Sequence, residues 1–149
     1  MGKSAILEIL TNEWEQLLSV AQNIPDHALE IPGSVGHWSV AQVLIHVASW
    51  DEEVRDRVDE SIKSGIKRVT PNSTVHELNE RLLEENKEKD LLSTWMYFYG
   101  AHSALVAYLE TLPEEIFDPG SYTGNWIVNI VPQHYSGHRE DIKMVSEQI

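Results

Sequence analysis

Large apolar residues in this chain recur at steps of three and four, and no segment shows the alternation of a strand. That periodicity confines the fold to helices that each carry one apolar face. The first stripe is Leu7, Leu10, Trp14, Leu17, Ala21 and Ile24, stopped by Pro25. A loop rich in Pro and Gly follows over 25–38. The second stripe is Val43, His46, Trp50 and Val54, widened by Val47, Val58 and Ile62. Ser39, with Gln42 three residues on, reads as a capping box at its start, and Gly65 ends it. A third helix is expected from a capping box at Thr74 and Glu77, with Leu78 and Leu82 on its apolar face. The polar run from Glu84 to Asp90 marks a solvated stretch or a bend, after which Leu92, Trp95, Tyr99, His102, Val106 and Leu109 resume the pattern up to Pro113. After a second loop over 111–125, the last stripe runs Val131, His134, His138, Ile142, Val145 and Ile149. Pro132 cannot donate a backbone hydrogen bond, so this helix either starts near Val131 or kinks there.

Four amphipathic helices in 149 residues make an all-α four-helix bundle the expected architecture, with residues 1–149 as one domain. An apolar content of 42% is that of a chain with a core, which argues against disorder. With no cysteine, disulfides and thiolate metal sites are excluded, and any metal must sit on His, Asp, Glu, carbonyls or water. No apolar run reaches the length of a membrane span, so no membrane association is expected and a cytoplasmic home is the default. A formal charge of −13 repels phosphate backbones, and the expectation from it is that nucleic acid is not a partner.

Of seven histidines, His46, His134 and His138 fall on the stripes of the second and last helices. His134 and His138 are an i, i+4 pair, which places both imidazoles on one helix face with Cβ atoms roughly 5–6 Å apart. Two ring nitrogens can then approach one ion at about 2 Å. His46, flanked by Val43 and Trp50, is the best-placed third ligand. Packed, hydrogen-bonded histidines are the plain alternative. Tyr135 follows His134 where a metalloprotease helix carries Glu, and no histidine has Asp or Glu three residues before it, as di-iron bundles require. Three imidazoles leave coordination positions open, as catalytic rather than structural sites do, and suit Zn, Ni, Cu or Fe. His102, with Tyr99 on the same stripe, and Trp38, at the edge of the first loop, are candidates to line a pocket, although packing is the commoner role for His102. Asp51, Glu140 and Asp141 are candidates to orient the histidines, with solvated helix charges as the commoner reading. Gly137 would admit a close approach, most simply by another helix.

These residues carry a resemblance. His37-Trp38-Ser39-Val40-Ala41-Gln42-Val43-Leu44-Ile45-His46 resembles the Trp-Ser-x6-His signature of the DinB-like (YfiT-like) superfamily, and His134-Tyr135-Ser136-Gly137-His138 its His-x3-His on the last helix. The resemblance spans essentially the whole chain. It implies a four-helix bundle holding one metal, nickel or zinc first and iron as a further choice, on His46, His134 and His138. It also implies a homodimer. Relatives include thiol S-transferases, a mycothiol-dependent isomerase and metal hydrolases, and a related branch protects against a genotoxin by hydrolysing it. The function expected is therefore metal-dependent activation of a thiol or water toward an electrophilic small molecule, with a low-molecular-weight thiol as a candidate partner. The alternative is a non-catalytic small-molecule-binding or stress-response protein. No phosphate-cradling glycine loop is present, so a nucleotide cofactor is not expected.

Overall fold

A computed structural model of the chain describes residues 1–149 and contains helices but no strands. Four long helices form the bundle: α1 (Lys3–Gln22), α3 (Val40–Ser64), α5 (Leu91–Glu110) and α7 (Val131–Glu147). Three shorter helices are α2 (Asp26–Leu29), α4 (Asn72–Glu85) and α6 (Tyr122–Gly124). The closest pairings are α1 with α7 and α3 with α5, and contacts of α1 with α5 and α3 with α7 close the bundle. No helix is long and apolar enough to cross a membrane.

The helix boundaries follow local chemistry. Ser39 Oγ accepts from the backbone N–H of Gln42, whose side chain accepts from the Ser39 N–H, so the expected capping box starts α3. Gly65 ends α3 at φ 71°, a left-handed cap that only glycine adopts without strain. The expected box at Thr74 does not form. α4 starts earlier, with Pro71 at its N-cap, and the Thr74 hydroxyl donates to the Pro71 carbonyl. The polar run after Glu84 is a break between two helices, and Asp90 caps α5 by accepting from the Ser93 N–H.

The core runs along heptad-like stripes. On α3 it is Leu44, Val47, Val54 and Val58, each 2% exposed or less. On α5 it is Thr94, Phe98, Ala101, His102, Leu105 and Leu109, so His102 and Leu109 of the expected stripe are buried while Leu92, at 70% exposure, is not. Each such aliphatic residue stabilises by about 1.5–3 kcal/mol on full burial. α4 buries only Leu82 and packs chiefly on α3, so it serves as cover rather than core.

α7 begins at Val131, one of the two expected outcomes, with Pro132 in its first turn, where a missing N–H costs little. A π-helical turn over Asn125–Ile130 runs directly into α7, with α6 before it, so the helical segment begins well ahead of Val131. The wider turn is a known means of passing a proline or an inserted residue, and such turns recur at functional sites. Its start is fixed by Gly124, where a Cβ would lie 1.7 Å from the Asp118 carbonyl oxygen.

Candidate metal centre

α3 and α7 bring His46, His134 and His138 to one point. His134 Nε2 lies 2.9 Å from His46 Nε2 and 3.1 Å from His138 Nε2, and all three nitrogens fall within 4.8 Å of one another. His46 is buried; His134 and His138 are half-buried. Burial pushes the His46 imidazole down to about 3, with His138 adding to the shift. Burial likewise holds His134 well below the usual range, reinforced by the other two rings. His138 is lowered by burial while Asp141 pulls the other way. All three are therefore neutral at pH 7.

Protons alone satisfy such a cluster poorly. A neutral imidazole offers one N–H and one in-plane lone pair. His134 Nε2 faces two other nitrogens and can be donor to one or acceptor from one, not both. A cation accepts all three lone pairs at once. Bonds of about 2.0–2.1 Å at 90–109° give nitrogen separations of roughly 2.9–3.4 Å, which brackets the two close contacts. His138 supports this orientation, since its Nδ1–H donates to Asp141 Oδ2 at 3.2 Å and leaves the Nε2 lone pair free. His46 Nδ1 is buried with no partner, which is a cost of the arrangement. The donor set fits a divalent ion, and this three-histidine group could hold one.

A cavity of about 360 Å³ opens on the three rings, and six of its eleven lining residues are apolar, Trp50 and Trp126 among them. These two indoles stack with centroids 6.2 Å apart. Trp50 Nε1 donates to Asn79 Oδ1 of α4 at 2.7 Å, fixing the ring and tying the cover to the wall. Val75 and Asn79, both on α4, and Asp51 complete that side.

The other expected pocket residues lie elsewhere. His102 and Tyr99 do not line this cavity. His102 stacks on Trp14 at 4.3 Å, and Tyr99 is 41% exposed, its hydroxyl accepting from Gln22. Trp38 packs against the His46 ring at 4.8 Å without reaching the cavity wall. Gly137 has nothing within 4 Å of where a Cβ would stand, so it serves no helix crossing. Glu140 pairs at the surface with Arg139, while Asp141 does orient a histidine.

Asp51 is not a solvated charge. It is 1% exposed, its Oδ1 accepts from Tyr135 Oη at 2.9 Å, and its Oδ2 has no partner. The Tyr135 oxygen in turn accepts from His102 Nδ1 at 3.0 Å. Burial raises the Asp51 carboxyl well above its usual range, against the opposing Tyr135 hydrogen bond. The sequence did hold a signal for it: Leu44, Val47, Asp51, Val54 and Val58 follow steps of three and four, with one carboxylate in the middle of the stripe.

A helical bundle with three histidines converging from two helices defines a class, and the sequence comparison names it. The pattern of the DinB superfamily matches residues 9–142, and the chain belongs to that superfamily. No protein with a curated function matches the sequence. Among solved structures, the fold is similar to the colibactin self-resistance protein ClbS, crystallised in complex with a dsDNA. The TM-score is 0.84 at 15% identity, over 98% of this chain and 96% of that one. That structure overturns the expectation that nucleic acid is excluded as a partner, since a protein of this fold is found on DNA. The expectation rested on net charge, which sums the whole surface and does not report what one face presents.

Proposed function

We propose that the chain is a metal-dependent enzyme in which His46, His134 and His138 hold one divalent ion, nickel or zinc before iron, beside an apolar substrate cavity. The observation that carries this reading is the meeting of three Nε2 atoms at 2.9 and 3.1 Å, a contact that protons satisfy only in part. A divalent ion there supplies Lewis acidity and lowers the pKa of a bound water or thiol. The chain's own residues set what is bound and how. Trp50, Trp126, Val54 and Ile130 take an apolar body and exclude water from it. Asn79 has amide hydrogens to spare after accepting from Trp50. Asp51, at the cavity wall with a raised pKa, holds a proton that can be given up or taken back at Oδ2. The reaction class is transfer of a thiol, or of water, to an electrophilic small molecule. The largely apolar lining also favours a second reading, a binder that sequesters such a molecule without turnover.

Metal content by mass spectrometry on untagged protein tests the proposal, beside His46→Ala and His134→Ala. About one equivalent in the parent and none in either variant is the expected result. A parent that takes up neither nickel nor zinc would sink the metal reading and leave the binder.

A further inference from the structure

The second cavity of the α3–α4 seam has a different chemistry. It measures about 370 Å³ and is lined by eight residues, only one of them hydrophobic. Three are arginines, Arg57, Arg68 and Arg81, set against Glu53 and Glu77. In a chain of eleven basic and twenty-four acidic residues, such a concentration of guanidinium groups goes against the overall composition.

Arg57 is the unusual member. It is 2% exposed, and its Nε and Nη1 are buried without a hydrogen-bond partner. Nη2 donates to Thr70 Oγ1. Glu53 Oε2 stands 3.5 Å from Arg57 Nε and 3.9 Å from Arg68 Nη1, so it offers charge to both without a directed bond to either. The guanidinium carbon lies 5.4 Å from the Trp50 ring and 5.5 Å from the Trp126 ring. These indoles hold the cation in place but fill none of its in-plane donors. A buried guanidinium with donors unfilled is a costly arrangement for the fold alone. Its forked geometry is matched by a carboxylate or phosphate. Thr70, having accepted from Arg57, keeps its own hydroxyl hydrogen to donate. Arg68, 45% exposed and held at 3.2 Å by Glu60, stands at the rim.

We infer that the Arg57–Arg68–Thr70 pocket binds a small oxyanion, a terminal phosphate or carboxylate group. His46, Trp50, Glu53 and Arg57 follow one another at steps of four, three and four on α3, so they share a face. From His46 to Arg57 the helix rises roughly 16 Å. The oxyanion site therefore lies at the far side of the two tryptophans from the three histidines. It stands apart from the metal reading, because it needs no ion.

The test is a titration of metal-free protein with inorganic phosphate at constant ionic strength, read by tryptophan fluorescence, since Trp50 and Trp126 touch Arg57. A saturable response is expected, weakened about tenfold or more in Arg57→Gln and severalfold in Arg68→Gln, as loss of charge-assisted bonds requires. Should Arg57→Gln fail to fold, Arg68→Gln and Thr70→Val decide. Acetate and phenyl phosphate distinguish a carboxylate from a phosphate preference. No saturable response to any of the three anions, or one unchanged in the variants, overturns the assignment. Displacement of phosphate by a short DNA duplex would also overturn it, by giving the pocket to a nucleic-acid backbone. Metal content is read separately, so failure here leaves the histidine reading untouched.

Discussion

The bundle contains two kinds of buried histidine, and they differ in whether the protein itself satisfies them. His102 stacks flat on Trp14, 7° from parallel, and its Nδ1–H donates into a chain that runs through Tyr135 to Asp51. His46, His134 and His138 meet edge to face with ring centroids 4.6–4.9 Å apart and turn their Nε2 atoms toward one another. Burial lowers the pKa of all four, so titration does not separate them. Hydrogen bonding does: His102 bonds to a hydroxyl that can accept its proton, whereas three Nε2 atoms crowd one point although each imidazole brings only one N–H and one lone pair. Burial of a histidine is thus ordinary, and a surplus of acceptors is what points to a ligand.

The largest expected effect uses that contrast directly. His134→Ala should lower metal affinity by more than about hundredfold, since loss of a ligand exceeds the loss of an outer partner. His102→Ala should leave the stoichiometry as it was. Equal loss of metal in both variants would erase the distinction between the two neighbourhoods.

Acid should act on the His102 neighbourhood next most strongly. Burial pushes His102 down to about 4 in the folded protein, while the unfolded chain protonates near 6.5. Above pH 6.5 the ring is neutral in both states and contributes no pH dependence. As pH falls from 6.5 toward 4 the unfolded state takes up the proton and the folded state does not, so stability drops, by about 3 kcal/mol at pH 4. His46, pushed to about 3, extends the same loss to lower pH. Thermal melts of metal-free protein across this window should show a shallower slope in His102→Gln, and an identical slope would remove His102 from the account.

The same contrast explains what was legible beforehand. The four long helices followed from periodicity, because each buries one continuous face. His46, His134 and His138 stood on those faces, and an i, i+4 pair needs no tertiary information to share one. The break after Glu84 and the early start of the last helical segment were harder to read. The first depends on Asp90 acting as a cap, and the second on a π turn over 125–130 that runs directly into α7 ahead of Pro132. Tyr99 was placed on the core face because aromatic residues at 95 and 99 mimic a stripe. The buried face of α5 runs through Phe98, His102, Leu105 and Leu109, and it leaves Tyr99 at its exposed edge. The link from His102 through Tyr135 to Asp51 joins three helices, and one-helix periodicity cannot show such a contact.

Tyr135→Phe tests whether the His102 neighbourhood depends on that one hydroxyl. The oxygen accepts from His102 and donates to Asp51, whose other oxygen already lacks a partner. Removing it leaves a buried donor and a buried acceptor unfilled, and the fold should lose about 2–3 kcal/mol in denaturant melts. Metal content should stay at the parent level, because the Tyr135 hydroxyl bonds His102 and Asp51 rather than any of the three clustered histidines. A variant as stable as the parent would show that water takes the place of the hydroxyl, and the line between the two neighbourhoods would then rest on His134 alone.

The smallest effect belongs to Asp141, the one outer partner that the histidine cluster has. Its carboxylate accepts from His138 Nδ1 and thereby keeps the Nε2 lone pair free for the shared point. Asp141 is 47% exposed, so the pair should contribute little to folding. Its value would lie in the tautomer. Asp141→Asn can present either a carbonyl or an amide to the ring, and an amide donor would favour the tautomer that carries its proton on Nε2. Metal affinity should fall about tenfold with stability nearly unchanged, as for other outer partners. A fall in stability with affinity intact would make the contact a surface ion pair, and His138 would then owe its direction to α7 alone.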